Sequence, residues 1–193
     1  MPPHRFENAV ASDVQALQDA KIGCVIVGPM RAQYRATESI ARLFDHNIHT
    51  LSDIAPDSTG LFVLAEVLRR RAPADILGDD ITRRLALGSG GVMRDLIALA
   101  KSAAQEAYVD GNDFITPVHV DRAVEQLGRV RAVGLDGEQV QALRLVRDKG
   151  TLVIRGEREL TLLETRRVLD YGGGKFVVHP ALLPLLDVMT AAA

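Results

Sequence analysis

The segment of this chain whose residue types best define a chemistry is Ser89-Gly90-Gly91-Val92-Met93-Arg94-Asp95-Leu96. Two helical patterns, Asp79 to Leu87 and Val92 to Val109, meet at its Ser-Gly-Gly break. That break sets Arg94 in the first turn of the second helix. A helix N-terminus presents unpaired N–H groups and partial positive charge, so an arginine there adds to a ready anion site. Two preceding glycines allow a phosphate to approach the backbone closely. Ser89, Gly90, Gly91 and Arg94 are therefore candidates for sensing nucleotide phosphates. The plain alternative is a surface arginine paired with Asp95 or Asp79.

Other basic residues have weaker claims. Arg69-Arg70-Arg71 closes a helix, where cations are favoured electrostatically. Arg71 is nonetheless a candidate arginine finger, as is Arg31, which shares a predicted helix with Arg35 and Arg42. Arg155, Arg158, Arg166, Arg167 and Lys175 are candidates for nucleic-acid or partner contact. Glu157, Glu159, Glu164 and Asp170 are interleaved with them, whereas neutralising several phosphates needs a clustered basic face. Contact with protein is thus expected ahead of contact with DNA. Histidines stand at positions 4, 46, 49, 119 and 179. His46 and His49 lack a third ligand at suitable spacing, so no metal site is expected. No Ser-His-Asp set or supported carboxylate pair occurs, and no catalytic residue is expected.

The elements that must position these residues follow from periodicity. Apolar residues at helical spacing cover Glu7 to Ala20. Ile22 to Val27 is a short β-branched run that predicts a buried parallel strand, ended by Gly28-Pro29. A helix is expected over Gln33 to Phe44 and a strand over His46 to Leu51. A further helix is expected from Gly60 to Arg71, capped by Ser58 or Thr59. Two strands cannot make a stable parallel sheet by themselves, so this third of the chain reads as incomplete. An unfinished sheet edge invites self-association, most simply as a two-fold dimer.

From Pro73 the pattern is helical. The alanines of Val92 to Val109 predict close helix–helix approach. Thr116-Pro117 starts a third helix, to about Leu127, with threonine as cap and proline in the first turn. Glu138 to Lys149 is helical and stopped by Gly150. Thr151 to Ile154 is a strand candidate and Glu157 to Glu164 a short helix. Arg166 to Tyr171, Gly172-Gly173-Gly174 and Lys175 to His179 form a hairpin pattern. Tyr171 and Phe176, at the strand ends, are expected to pack across it near Leu162, Leu163 and Val178. Pro180 opens a terminal helix through Val188.

The 193 residues carry a net charge of -2, so no global basic field points to nucleic acid. Cys24, the only cysteine, lies in an apolar run and reads as a buried, inert thiol. No run reaches membrane-spanning length and no signal-like segment is seen, which predicts a cytoplasmic protein without a membrane partner.

This order of elements resembles the C-terminal part of a P-loop ATPase of the AAA+ or STAND type, related to the origin-recognition initiators. Ile22 to Val27 with Gly28-Pro29 resembles the strand after Walker B. Ser89-Gly90-Gly91-Val92-Met93-Arg94-Asp95-Leu96 resembles the lid segment S-G-G-x-x-R-D-L. Gly111 through Ile115, Thr116, Val120 and Ala123 resemble the start of the third lid helix. The resemblance implies that Arg94 is the sensor-2 arginine reaching the γ-phosphate. It also implies a mixed α/β, mainly α chain: a partial P-loop α/β core (residues 1–72), a helical lid bundle (73–134) and a small winged-helix-like domain (135–193).

The nucleotide-cradling half of that family is missing. No G-x-x-x-x-G-K-[ST] occurs: before Gly174-Lys175 the first glycine is replaced by Leu169, and Phe176 stands in for the hydroxyl residue. No apolar strand ends in Asp-Glu. Phosphoryl transfer without that loop, its lysine and a magnesium-holding carboxylate lacks most of its electrostatic catalyst. The chain alone is not expected to turn over ATP, although its parent would be an ATPase. ATP and Mg2+ would be bound only with a missing N-terminal half, as in a cleavage or split-gene product. That half, a second copy or a client protein are the expected partners. The reading from another class is a non-enzymatic helical and winged-helix module that binds DNA or a partner protein.

Overall fold

The computed structural model of the protein describes residues 12–28, 44, 49 and 51–189. Contacts divide the chain between Leu51 and Ser52, giving units of residues 1–51 and 52–193.

In the first unit residues 12–19 are helical, with Val14 buried, and Lys21 ends the turn with a φ of 56°. Residues 22–28 form no strand, contrary to expectation. Ile22, Val25 and Val27 are 54%, 95% and 87% exposed, and Cys24 is exposed rather than buried. A β-branched run becomes a strand only when neighbours complete its backbone hydrogen bonds, and no described residue does so here. The predicted helix carrying Arg31, Arg35 and Arg42 lies outside the described residues, apart from Phe44. The predicted strand His46 to Leu51 does too, apart from His49 and Leu51; none of these three is in a helix or strand.

The second unit is mainly helical, with one small sheet. Its elements are α1 (Ser58–Arg69), α2 (Asp79–Gly88), α3 (Met93–Val109), α4 (Pro117–Ala132), α5 (Gly137–Lys149) and α6 (Glu157–Glu164). Strands β1 (Val168–Asp170) and β2 (Phe176–Val178) follow, then a 3-10 turn, η1 (Pro180–Leu182), and α7 (Leu183–Val188). Helix α1 starts earlier than expected. Its cap is Asp57, whose carboxylate accepts the Gly60 N–H at 2.9 Å; the negative charge also suits the N-terminal dipole.

Helices α1 to α4 share one core, in which Leu64, Leu68, Leu85, Leu96, Leu99 and Ala103 are at most 2% exposed. The contact boundary thus falls before α1 and not at residue 72, because Leu64 and Leu68 belong to the same core as α2 and α3. Ala103, Ala107 and Ala123 are buried where α3 packs on α4, the close approach that the alanines predict. Helix α4 continues through Gly128 to Ala132. A Cβ on Gly128 would stand 2.1 Å from the Ala181 carbonyl oxygen, so close packing explains that glycine.

The C-terminal body, α5 through α7, has its own apolar interior of Leu143, Leu162, Leu163, Leu169, Val178, Leu182 and Leu186, each at most 1% exposed. Helix α5 opens with a capping box between Asp136 and Gln139 and ends at left-handed Gly150. Residues 151–155 are in neither helix nor strand, so the predicted strand there is absent. The hairpin forms as expected: β1 and β2 pair antiparallel, Val168 opposite Val178 and Asp170 opposite Phe176. Gly172, Gly173 and Gly174 all take positive φ. Phe176 is buried, but Tyr171 is not a simple cross-strand partner: its hydroxyl donates to the Gly90 carbonyl at 2.8 Å.

Candidate functional site

The break between α2 and α3 is held by its own side chain. Ser89 Oγ donates to the Ala86 carbonyl at 2.8 Å and accepts the Gly91 N–H at 3.2 Å. Gly90 and Gly91 take φ of 59° and 81°, which L-residues with a Cβ rarely adopt. Both are also tightly packed. A Cβ on Gly91 would lie 1.7 Å from the Ile54 carbonyl oxygen, and one on Gly90 would lie 2.4 Å from a Leu169 methyl. Ser89, Gly90 and Gly91 are buried here, with Leu169 and Pro180 against Gly90 and Ile54 against Gly91.

Past the break the two halves of the first α3 turn face different surroundings. Arg94 is exposed and makes no hydrogen bond or ion pair with any described residue. Asp79 is instead paired with Arg69 at 2.8 Å. Asp95 is 7% exposed. Its carboxylate is ion-paired with Arg131, in the last turn of α4, and accepts the His179 Nε2–H at 3.1 Å. The His179 tautomer follows, because Nδ1 accepts the Ala181 N–H at 3.2 Å. Burial alone would raise the Asp95 carboxyl, but the His179 bond and the Arg131 charge outweigh it and hold it below the ordinary carboxylate value. Burial pushes the His179 imidazole below its ordinary value; the Asp95 bond opposes this and the Arg131 charge reinforces it.

A second polar contact lies beside the hairpin. Arg166 pairs with Asp53 at 2.5 Å, and the Asp53 N–H donates to the Asp170 carbonyl at 2.8 Å. Burial raises the Asp53 carboxyl above its ordinary value, although Arg166 and the Asp170 N–H oppose the rise. Burial, with a contribution from Asp53, pushes the Tyr171 phenol up to about 12.

The basic candidates are mostly engaged within the molecule. Arg167 is 9% exposed and donates to the carbonyls of Arg131, at 2.8 Å, and Val133, at 2.5 Å, at the C-terminal end of α4. Arg158 pairs with Glu138, and Arg166 with Asp53. Lys175 lies 6.0 Å over the Tyr171 ring, and Arg155 is exposed. Arg71 donates to the Val67 carbonyl at 3.1 Å. Arg31 lies outside the described residues. The candidates Ser89, Gly90, Gly91 and Arg94 do come together, with only Arg94 facing solvent.

Sequence reasoning missed Asp95, Arg131 and His179 as a set. The spacing offers only a weak signal: an aspartate directly after the first-turn arginine, and a His-Pro pair between the hairpin and the last helix. Among the described residues no group of three or more His, Cys, Asp or Glu side chains could hold a metal ion, and no helix is long and apolar enough to cross a membrane. No protein-family model matches the chain, and no curated protein matches it significantly.

Proposed function

We propose that this chain works as the C-terminal, nucleotide-responsive portion of a P-loop ATPase of the AAA+ or STAND type. In this reading α2 to α4 form the lid and α5 to α7 a winged-helix-like body, with Arg94 answering to the γ-phosphate. The observation that carries the reading is the placement of Arg94. It stands exposed and unpaired among the described residues, on the first turn of a 17-residue helix. The Met93 and Arg94 amides of that turn have no backbone acceptor among the described residues, as helix geometry dictates. A long helix with free first-turn amides and an unspent guanidinium is suited to an incoming anion.

The cradle for the rest of the nucleotide, with its magnesium, would come from a Walker-bearing segment or subunit. That division assigns this chain no turnover of its own. Of the alternative readings, DNA binding draws least support. Arg158, Arg166 and Arg167 are engaged by Glu138, Asp53 and backbone carbonyls, which leaves Arg155 and Lys175 as the basic candidates without an ion pair among the described residues.

In the complete ATPase, Arg94→Ala is expected to reduce ATP turnover about a hundredfold, the scale of losing one positioned cationic group at a phosphoryl site. Arg94→Lys should recover part of it. Wild-type turnover in Arg94→Ala overturns the reading. So does micromolar, magnesium-dependent ATP binding by the 193-residue chain alone, measured by titration calorimetry.

A further inference from the structure

Arg94 and Asp95 are adjacent, one exposed and the other buried. The Asp95 carboxylate joins three elements: the first turn of α3, the last turn of α4 through Arg131, and the corner between β2 and η1 through His179. His179 is fixed from its other side, since Nδ1 accepts the Ala181 N–H and caps η1. Tyr171 adds a parallel tie from the hairpin to the Gly90 carbonyl, at 2.8 Å. Burying such charges is a poor way to gain stability, because desolvation consumes most of the attraction. The balance here is worse still, since Arg131 Nε is buried with no partner. What the arrangement supplies, and apolar packing would not, is a directional link from the hairpin body to the turn that carries Arg94.

We propose that Asp95 is a positioning residue, relaying the docked state of the hairpin body to the turn of α3 that presents Arg94. When His179 holds the carboxylate, the turn is fixed and Arg94 projects from an ordered helix end. When the body lifts, Asp95 loses a ligand and the turn loosens. The functional meaning rests on the reading of Arg94 as the phosphate-facing group, but the relay itself is a property of this chain.

Hydrogen exchange on the full chain tests the relay. The Leu96 N–H is bonded to the Val92 carbonyl at 2.9 Å, so amides 96–98 report the order of that turn. His179→Ala should speed their exchange about tenfold, together with the hairpin amides, and leave α1 and α5 at wild-type rates. His179→Gln keeps an amide N–H in reach of Asp95 but loses the Nδ1 acceptor. It should return amides 96–98 to near wild-type protection. In an Asp95→Ala background, His179→Ala should add nothing at these amides, since the link is already cut. Wild-type exchange at 96–98 beside a loosened hairpin in His179→Ala overturns the relay, and so does uniform acceleration reaching α1. An Arg94→Ala ATPase with normal turnover would remove the phosphate reading and leave the exchange result standing, so the two failures are distinguishable.

Discussion

The side chain of Asp95 shows how one residue can matter through what it leaves behind. Its removal takes the carboxylate from His179 and from Arg131, which keeps only its bond to the Thr165 carbonyl, and an uncompensated, largely buried charge costs far more than the pair contributes. Asp95→Ala should therefore lower the unfolding free energy by about 3–5 kcal/mol, read from urea denaturation. A loss below ~1 kcal/mol would mean that the pair behaves as an exposed one. Gly91 makes a second case at this scale. An added methyl meets the Ile54 carbonyl and a positive φ together, so Gly91→Ala should cost about 3 kcal/mol through overpacking and strain. A neutral Gly91→Ala would mean that the glycine is there for access and not for packing. In the sequence the double glycine predicts room for a phosphate. The pattern alone cannot distinguish close approach of a ligand from close approach of the chain's own backbone.

Among the described residues, acid-sensitive groups stand at the corner between β2 and η1 and in the first turn of α3. The folded His179 sits below 6.5, its ordinary value, so between the two values the unfolded chain binds more protons. Stability is then fully present above 6.5 and falls as pH drops below it. Asp95, held below 3.8, adds a second loss as pH falls from 3.8 through its folded value. Asp53 has the opposite sign: raised above 3.8, it favours the fold at acid pH and gives back that contribution as pH rises. Urea unfolding across the mildly acid range should show falling stability on acidification, with the upper part of the slope absent in His179→Gln. An unchanged slope in that variant would remove His179 as its source. Helices α2 to α6, the hairpin and its glycine turn were legible because periodicity, caps and turn residues are local. The extended stretches were not. Whether Ile22 to Val27 or Thr151 to Ile154 becomes a strand depends on a partner elsewhere, and β-branched composition says nothing about that partner. The Asp95–Arg131–His179 set was illegible for the same reason, its members being 36 and 84 positions from Asp95.

Taken whole, the molecule has one mainly helical unit from Ser52 onward and a preceding unit whose described apolar run is open to solvent. Ile22, Val25 and Val27 are exposed and have no ladder partner among the described residues; the proposal of a two-fold dimer is that a second copy supplies one. Sedimentation should show concentration-dependent self-association at concentrations on the order of tens of micromolar, weakened by Val25→Lys. A strict monomer contradicts this. The proposal that Arg94 reads a γ-phosphate is tested most directly by nucleotide discrimination in the complete ATPase. Arg94→Ala is expected to weaken ATP binding about tenfold and to leave ADP affinity unchanged, because only ATP carries the group that Arg94 meets. Equal losses for ATP and ADP, or no loss for either, would contradict it.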